Sequence, residues 1–300
     1  MSVVAPVPRG ALGARMGRGV VDWIPAALVL VLGILLWEGL VRALDVQRFL
    51  LPAPSAILDT LWEQRRLLWS AGIYTFSEAL GGWVIGSTLG VISAIVLARF
   101  RGLGRALMPF AIGSLVGVAV ALVLARFRRL GRALLPFMIA ANAVPIIAFA
   151  PITNQWFGPL NKTSKMAIAA ILVFFPVLVN TLRGLTSVNP AAIELMRSYA
   201  AGEREIFRRV RIPNSLPYLF SALKVASVLA MIGAIVGEYF GGSLTSLGIQ
   251  IKSAAALFNF ETAWAAILVA AILGMSFYLV IALVERVAMR GHPSARGAQT

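Results

Sequence analysis

Long apolar runs constrain the fold of this chain more than any other feature. A helix that crosses a bilayer needs about 20 consecutive apolar residues. Because 59% of the residues are hydrophobic and only 13% are charged, the chain cannot be a soluble domain, in which about a quarter of residues are charged. We predict an all-α polytopic membrane protein. The qualifying runs are 22–44, 75–98, 106–125, 133–157, 164–183, 217–240 and 261–284.

Basic residues beside these runs indicate how the chain is oriented. Lys and Arg outnumber Asp and Glu by 27 to 12, which gives a formal net charge of +15. In a soluble protein this charge would suggest nucleic acid, but basic clusters that flank membrane spans mark cytoplasmic loops. We interpret the charge as a topology signal and expect no nucleic-acid partner. The clusters lie at 9–18, 99–105, 126–132, 183–211 and 286–296.

Six spans with both termini in the cytoplasm place every basic cluster on one side. Seven single crossings do not, because 99–105 and 126–132 would then face opposite sides. We predict a cytoplasmic N-terminal tail at 1–21, a transmembrane domain at 22–284 and a cytoplasmic C-terminal tail at 285–300. The first apolar run lacks a small-residue cleavage site, so we interpret it as an uncleaved span.

A tandem duplication explains why there are seven apolar runs for six predicted spans. Residues 85–111 and 112–138 align without a gap and are identical at 19 of 27 positions. We predict that 106–125 is an extra element, re-entrant or interfacial, added to a plan of six spans. The alternative is a seventh true crossing with the N-terminus outside.

Small and amphipathic residues predict how the spans pack. Glycines at every fourth position let membrane helices approach closely, so the second and fifth core spans should pack tightly against neighbours or a second subunit. Residues 51–69 form an amphipathic pattern after a predicted Ser55 N-cap, which fits a helix in the outer interface or a packed connector. The glycines are Gly82, Gly86 and Gly90, then Gly233, Gly237 and Gly241.

The segment 190–213, called the polar loop below, is the one long charged stretch between apolar runs. Asn189 and Pro190 are suited to start a short helix. A second helix should follow at 203–211 and end at Pro213. We expect the apolar residues of the first helix to be exposed on a cytoplasmic loop, which favours docking into another protein over lying on the bilayer. These residues are Ile193, Leu195, Met196 and Tyr199.

The polar loop resembles the EAA loop of permease subunits of binding-protein-dependent ABC importers. That signature has a Glu, a Gly six residues later and an aliphatic–Pro pair thirteen after that, matched here by Glu194, Ala200 and Ile212-Pro213. Ala200 departs from the signature, and we expect Gly202 to supply the turn. Further resemblance to the nitrate, sulfonate, taurine and pyrimidine-precursor branch lies in LPAPSAILDTLWE, VPIIAFAPITNQWFG, FFPVLVNTLRGL and IGAIVGEYFGG.

The resemblance implies a type I ABC importer transmembrane fold in a bacterial inner membrane. It implies a permease homodimer, cytoplasmic ABC ATPase subunits that grip the polar loop, and an extracytoplasmic binding protein that delivers a small solute. Sequence around 194–201 and 264–294 looks most like permeases for pyrimidine precursors or riboflavin. The residues implied in ATPase coupling are Glu194, Met196, Tyr199, Ala200, Gly202, Ile212 and Pro213.

Polar residues inside the predicted spans are candidates for a substrate path. We predict Asn142, Asn154 and Glu238 for this role, with Glu238 also able to gate the cavity or meet the binding protein. Lys224 is expected to snorkel to the interface. An ion-coupled transporter or channel remains the alternative function.

An enzyme is not expected from these residues. The segment 158–164 resembles a phosphate-binding loop but has Asn161 where its second glycine should be. With His292 as the one histidine and no cysteine, we expect neither a catalytic triad nor a metal or cofactor site. The energy for transport should therefore come from a partner.

Overall fold

The computed structural model describes residues 11–48, 50–99 and 148–290, and every regular element in these ranges is helical. The helices are α1 (Ala11–Ala43), α2 (Pro54–Glu63), α3 (Arg65–Arg99), α4 (Phe149–Phe157), α5 (Lys162–Thr186), α6 (Pro190–Ser198), α7 (Glu203–Ile206), α8 (Ile212–Phe240), α9 (Leu247–Ala256) and α10 (Phe260–Ala288), with a π-helical segment at Phe207–Arg211 between α7 and α8.

Five of the described helices are long and apolar enough to cross a membrane. They correspond to five of the seven predicted runs, and the prediction of an all-helical polytopic protein is confirmed. The predicted extra element at 106–125 and most of the run 133–157 lie outside the described residues. The five spans are Pro25–Ala43, Arg65–Val96, Lys162–Thr186, Glu203–Phe240 and Phe260–Ala288.

Local capping explains where several helices begin. The side chain of Asn161 caps α5 by accepting from the amide of Thr163, and Asn189 caps α6 by accepting from Ala191 at 3.0 Å. The predicted Ser55 N-cap is wrong, because the N-cap of α2 is Ala53 and makes no side-chain bond. Instead, the α1 carboxylate of Glu38 accepts from the Ser55 amide at 3.0 Å and from its hydroxyl at 2.8 Å.

The glycine stripes of α3 and α8 both face α5, which confirms close packing against a neighbouring helix. A Cβ atom at Gly86 would lie 2.5 Å from the carbonyl oxygen of Ala170, and one at Gly233 would lie 2.7 Å from the Cα of Ala169. Such distances leave no room for a side chain. The three helices therefore bury the centre of the bundle, where Ala169, Val173 and Val177 are fully enclosed.

Two ends of the bundle can be distinguished. At the loop end, the C-terminal turns of α3 and α5 pack together with Phe207, beside the polar loop. At the far end, Glu38 of α1 contacts α2. Gln64, between α2 and α3, donates to Thr262 of α10 at 3.0 Å. Lys162 of α5 donates to Ser77 of α3 at 2.8 Å. The far end also carries α4 and α9.

The polar loop does not end in a helix break. The prediction that Pro213 stops the second helix is wrong, because α7, the π-helical segment and α8 run on as one helix from Glu203 to Phe240. The amide of Ile212 bonds to the carbonyl of Phe207, five residues back. This wider turn ends just before Pro213, which lacks an amide hydrogen and would disrupt a regular α-helical ladder. We call Glu203–Phe240 the long helix.

Candidate functional site

Helix α6 projects from the bundle with no buried residue. Glu194 is exposed, Met196 is half-buried, and Leu195 and Tyr199 are 58% and 76% exposed. Apolar and aromatic side chains left open at the end of a short capped helix are typical of a segment that docks into a groove on a partner. The predicted docking residues Glu194 and Tyr199 are therefore accessible.

A tight turn joins α6 to the long helix. Ala200 has φ +55°, and its amide bonds to the carbonyl of Arg197 at 2.9 Å, while the amide of Ala201 bonds to Met196 at 3.0 Å. These bonds define a Schellman motif, whose left-handed residue is usually glycine. The expectation that Gly202 supplies this turn is wrong, because Gly202 has φ −71° and serves as the N-cap of α7. Ala200 makes the turn itself, at the position where the signature has glycine.

The start of the long helix is anchored to the bundle. Ile206 is 1% exposed, and Phe207 packs against the buried cluster of α3 and α5. The amide group of Asn214 donates to the carbonyl of Gly184 at 2.7 Å, which ties the long helix to the end of α5. Arg197 of α6 reaches Glu203 at 3.4 Å. Side-chain contacts therefore link α6 to the long helix, and the long helix to the bundle.

Ile212 and Pro213 lie within the long helix and not in α6. Ile212 is 38% exposed and Pro213 is half-buried. They follow the π-helical segment directly, so they mark where the loop joins the membrane span. The predicted coupling residues thus divide into an exposed group on α6 and its turn, and a second group at the base of the long helix.

A buried polar cluster surrounds Glu238 at the far end of the long helix. Glu238 is 0% exposed. One of its carboxylate oxygens accepts from the hydroxyl of Thr75 at 2.7 Å, and the other accepts from the amide of Gly248 at 2.7 Å. The Thr75 hydroxyl also accepts from the amide of Leu247 at 3.0 Å. Glu238 therefore joins α8, α3 and the start of α9, where the free amides of a helix N-terminus favour a carboxylate.

Glu78 and Lys165 complete this cluster, and each is 1% exposed. The carboxyl group of Glu78 lies close to that of Glu238, and its Oε2 atom is buried without a hydrogen-bond partner among the described residues. Lys165 donates to Ser164 at 3.0 Å and to the carbonyl of Pro159, and it interacts electrostatically with both carboxyl groups. Lys165 places a basic group beside two acidic ones, and such pairing offsets part of the cost of burying ionisable groups.

Asn154 of α4 lies beside this cluster. A Cβ atom at Gly241, three residues after Glu238, would lie 2.9 Å from the Asn154 side-chain nitrogen. Asn154 is 6% exposed, and neither atom of its amide group has a hydrogen-bond partner. The predicted path residues Asn154 and Glu238 therefore lie near each other, whereas Asn142 lies outside the described residues.

Sequence reasoning missed Thr75, Glu78 and Lys165. An ionisable residue inside an apolar run is itself a signal of a special site, and Glu78 and Lys165 both satisfy it. Lys224 was expected to snorkel, but it pairs with Glu285 of α10 at 2.6 Å. This partner could not be found from spacing because the two residues lie on separate helices.

The family model for the binding-protein-dependent transport system inner membrane component matches residues 113–289. The match begins one residue into the second copy of the duplicated segment.

Three curated relatives are similar. The riboflavin transport system permease protein RibX of Chloroflexus aurantiacus is 31% identical and covers 90% of both chains. A probable ABC transporter permease protein of Haemophilus influenzae is 27% identical over 84% of this chain and 92% of its own. The formylaminopyrimidine transport permease protein ThiX of Halalkalibacterium halodurans is 36% identical over 50% of this chain and 59% of its own.

Proposed function

This chain belongs to the family of binding-protein-dependent transport system inner membrane components, the permeases of ABC importers, and we propose that it carries a small solute inward by an ATP-driven mechanism. Its relatives are transport permease subunits, so the chain is not itself an enzyme. One observation carries the proposal: the long helix connects the exposed α6 at one end to the buried cluster around Glu238 at the other.

The first step is docking of the polar loop on cytoplasmic ABC ATPase subunits. Glu194, Leu195 and Tyr199 are the exposed contacts, and the turn at Ala200 holds α6 at a defined angle to the long helix. Gly202 caps α7, while Ile212 and Pro213 form the joint with the span. ATP-driven closure of the ATPases would move α6, and the anchored long helix would move with it.

The second step is opening of the far end. The long helix has 38 residues, and Glu238 lies roughly 53 Å along it from Glu203. We propose that the Glu238 bonds to Thr75 and Gly248 latch the far end closed and are exchanged as the helix rocks. Asn154, with its unpaired buried amide, and Asn142 are proposed to contact the solute once the path opens.

Similarity to known permeases supports a proposal for the partners and the solute. We propose a permease homodimer that receives its solute from an extracytoplasmic binding protein at the far end, with both termini in the cytoplasm. The relatives named for riboflavin and formylaminopyrimidine support a nitrogen heterocycle, such as riboflavin or a pyrimidine precursor, as the solute. The segment 106–125, which lies outside the described residues, is proposed to be re-entrant or interfacial. Labelling of the N-terminus from outside intact cells would refute the six-span arrangement.

Co-purification with the ATPase tests the docking step. Glu194→Lys and Tyr199→Ala should each release the ATPase while the chain stays folded in the membrane. Glu63→Lys and Tyr239→Ala make the same changes at exposed far-end positions and should leave the complex intact. Retention of the ATPase by both loop variants would contradict the proposal.

Uptake separates the path from the docking surface. Asn154→Leu should reduce solute uptake by whole cells while the ATPase still co-purifies. Uptake that persists when the ATPase cannot hydrolyse ATP would indicate the ion-coupled or channel mechanism instead.

A further inference from the structure

An apolar groove lies on the outside of the bundle at the far end, between α2, the first turns of α3 and α10. Its volume is about 820 Å³, within the range of roughly 300–1,000 Å³ that is typical of ligand sites. Leu58 and Leu61 of α2, Ile73 of α3, and Val269 and Ile272 of α10 form its apolar wall. Ile73 and Leu58 are 55% and 56% exposed, so the groove is open on the outside of the described bundle.

Two arginines also line the groove. Arg65 and Arg66 are the first residues of α3, and Ile73 lies about 10 Å further along the same helix. The groove is therefore cationic at its α2–α3 end and apolar below it. Trp62 and Trp69 flank the arginines, and tryptophan is enriched at the level of lipid head groups.

These arginines differ from the other two at the far end. Arg42 pairs with Glu38, and Arg48 pairs with Glu261 at 3.5 Å. In the described part of the chain, neither Arg65 nor Arg66 has an acidic side chain as an ion-pair partner. Arg65 instead lies 4.6 Å from the ring centroid of Trp62 and donates to its carbonyl. Two guanidinium groups that lack an acidic partner among the described residues, beside an apolar groove, suit an anionic, amphipathic occupant.

We propose that this groove binds one anionic phospholipid. The phosphate accepts from Arg65 and Arg66, since a guanidinium group matches phosphate oxygens in a bidentate geometry. An acyl chain lies along Ile73, Val269 and Ile272. The proposed lipid site requires only that the chain is embedded in a membrane. A negative result in the lipid-binding test would therefore leave the proposed import function unaffected.

Quenching of tryptophan fluorescence tests the proposal. The full chain is reconstituted in phosphatidylcholine bilayers. Increasing amounts of a lipid with brominated acyl chains are included, either brominated phosphatidylglycerol in one series or brominated phosphatidylcholine in the other. The brominated phosphatidylglycerol should quench at a several-fold lower mole fraction. Trp62→Phe/Trp69→Phe should remove this difference, because these two residues report on the groove.

Charge variants locate the head-group contact. Arg65→Ala/Arg66→Ala should lower the preference for phosphatidylglycerol roughly 25-fold, at about fivefold per arginine. Arg286→Ala/Arg290→Ala removes two exposed charges at the other end of α10 and should preserve the preference. If the double variant does not fold, Arg66→Ala alone should give the fivefold effect.

A filling variant tests the acyl-chain contact. Ile272→Phe should reduce quenching through the groove, whereas Ile267→Phe, at a similarly exposed position of α10, should not. Equal quenching by the two brominated lipids in the unaltered chain would overturn the proposal. So would a preference that survives loss of both arginines, or a groove that no lipid quenches because protein fills it.

Discussion

Replacement of Ala200 by glycine is expected to stabilise the turn that joins α6 to the long helix. At φ +55° the Cβ atom of Ala200 crowds the following carbonyl oxygen, which costs roughly 1–2 kcal/mol. Glycine avoids this strain but has more freedom to lose on folding, which offsets about 0.4–1 kcal/mol. The net gain is about 0.8 kcal/mol, or a roughly fourfold shift in the opening equilibrium of the turn.

Hydrogen exchange of the amide of Ala201 measures this shift. That amide closes the turn by bonding to the carbonyl of Met196. In the purified full chain with Ala200→Gly, its protection factor should rise about fourfold when exchange is limited by local opening. The matched control is Gly202→Ala, because Gly202 has φ −71° and a Cβ atom there would have no neighbour within 4 Å.

Unchanged or lower protection of Ala201 in Ala200→Gly would show that the left-handed turn does not carry the strain. A gain from Gly202→Ala as large as that from Ala200→Gly would show that general loop stiffness, and not the sign of φ, controls the turn.

Three further predictions concern the packed interior and can be checked by thermal unfolding in detergent. Thr75→Val should lower stability by about 1–3 kcal/mol, because it leaves the Glu238 carboxylate and the Leu247 amide short of a partner, whereas Thr75→Ser should retain both bonds. Gly86→Ala should lower the free energy of unfolding by about 1–3 kcal/mol, because its Cβ atom would clash with the α5 backbone. Gly33→Ala, with no neighbour within 4 Å, should leave it unchanged, and equal stability of the two variants would contradict the close packing. A double-mutant cycle of Lys224→Met and Glu285→Gln should give a coupling energy of about 1 kcal/mol, and additive effects would show that the ion pair contributes nothing.

Local features of the sequence were sufficient to predict the helices. Each described span matches an apolar run, because burial of a helix in lipid depends on the run itself. The α6 cap at Asn189 and Pro190 was predictable for the same reason, since a cap involves only neighbouring residues. The exposure of Leu195 and Tyr199 also followed from local pattern, whereas Ile193 and Met196, which were expected to be exposed as well, are half-buried.

The wrong predictions concern positions where a residue from a distant segment makes the deciding contact. Ser55 does not cap its own helix because Glu38 of α1 is placed to accept from it. Pro213 does not end a helix because Phe207, packed on α3 and α5, starts a π-helical segment that accommodates it. Neither contact can be read from the residues next to Ser55 or Pro213.

The sequence by itself therefore determined that this is a helical membrane protein with one protruding polar loop, because hydropathy and capping act over a few residues. Only the tertiary structure decided that Thr75, Glu78, Lys165 and Glu238 meet in one buried cluster. These residues come from three helices spread over more than 160 positions, and their contact depends on which faces the glycine stripes allow to approach. A local pattern such as a glycine stripe marks a face that packs closely, but the helix that packs against it is decided only in the assembled bundle.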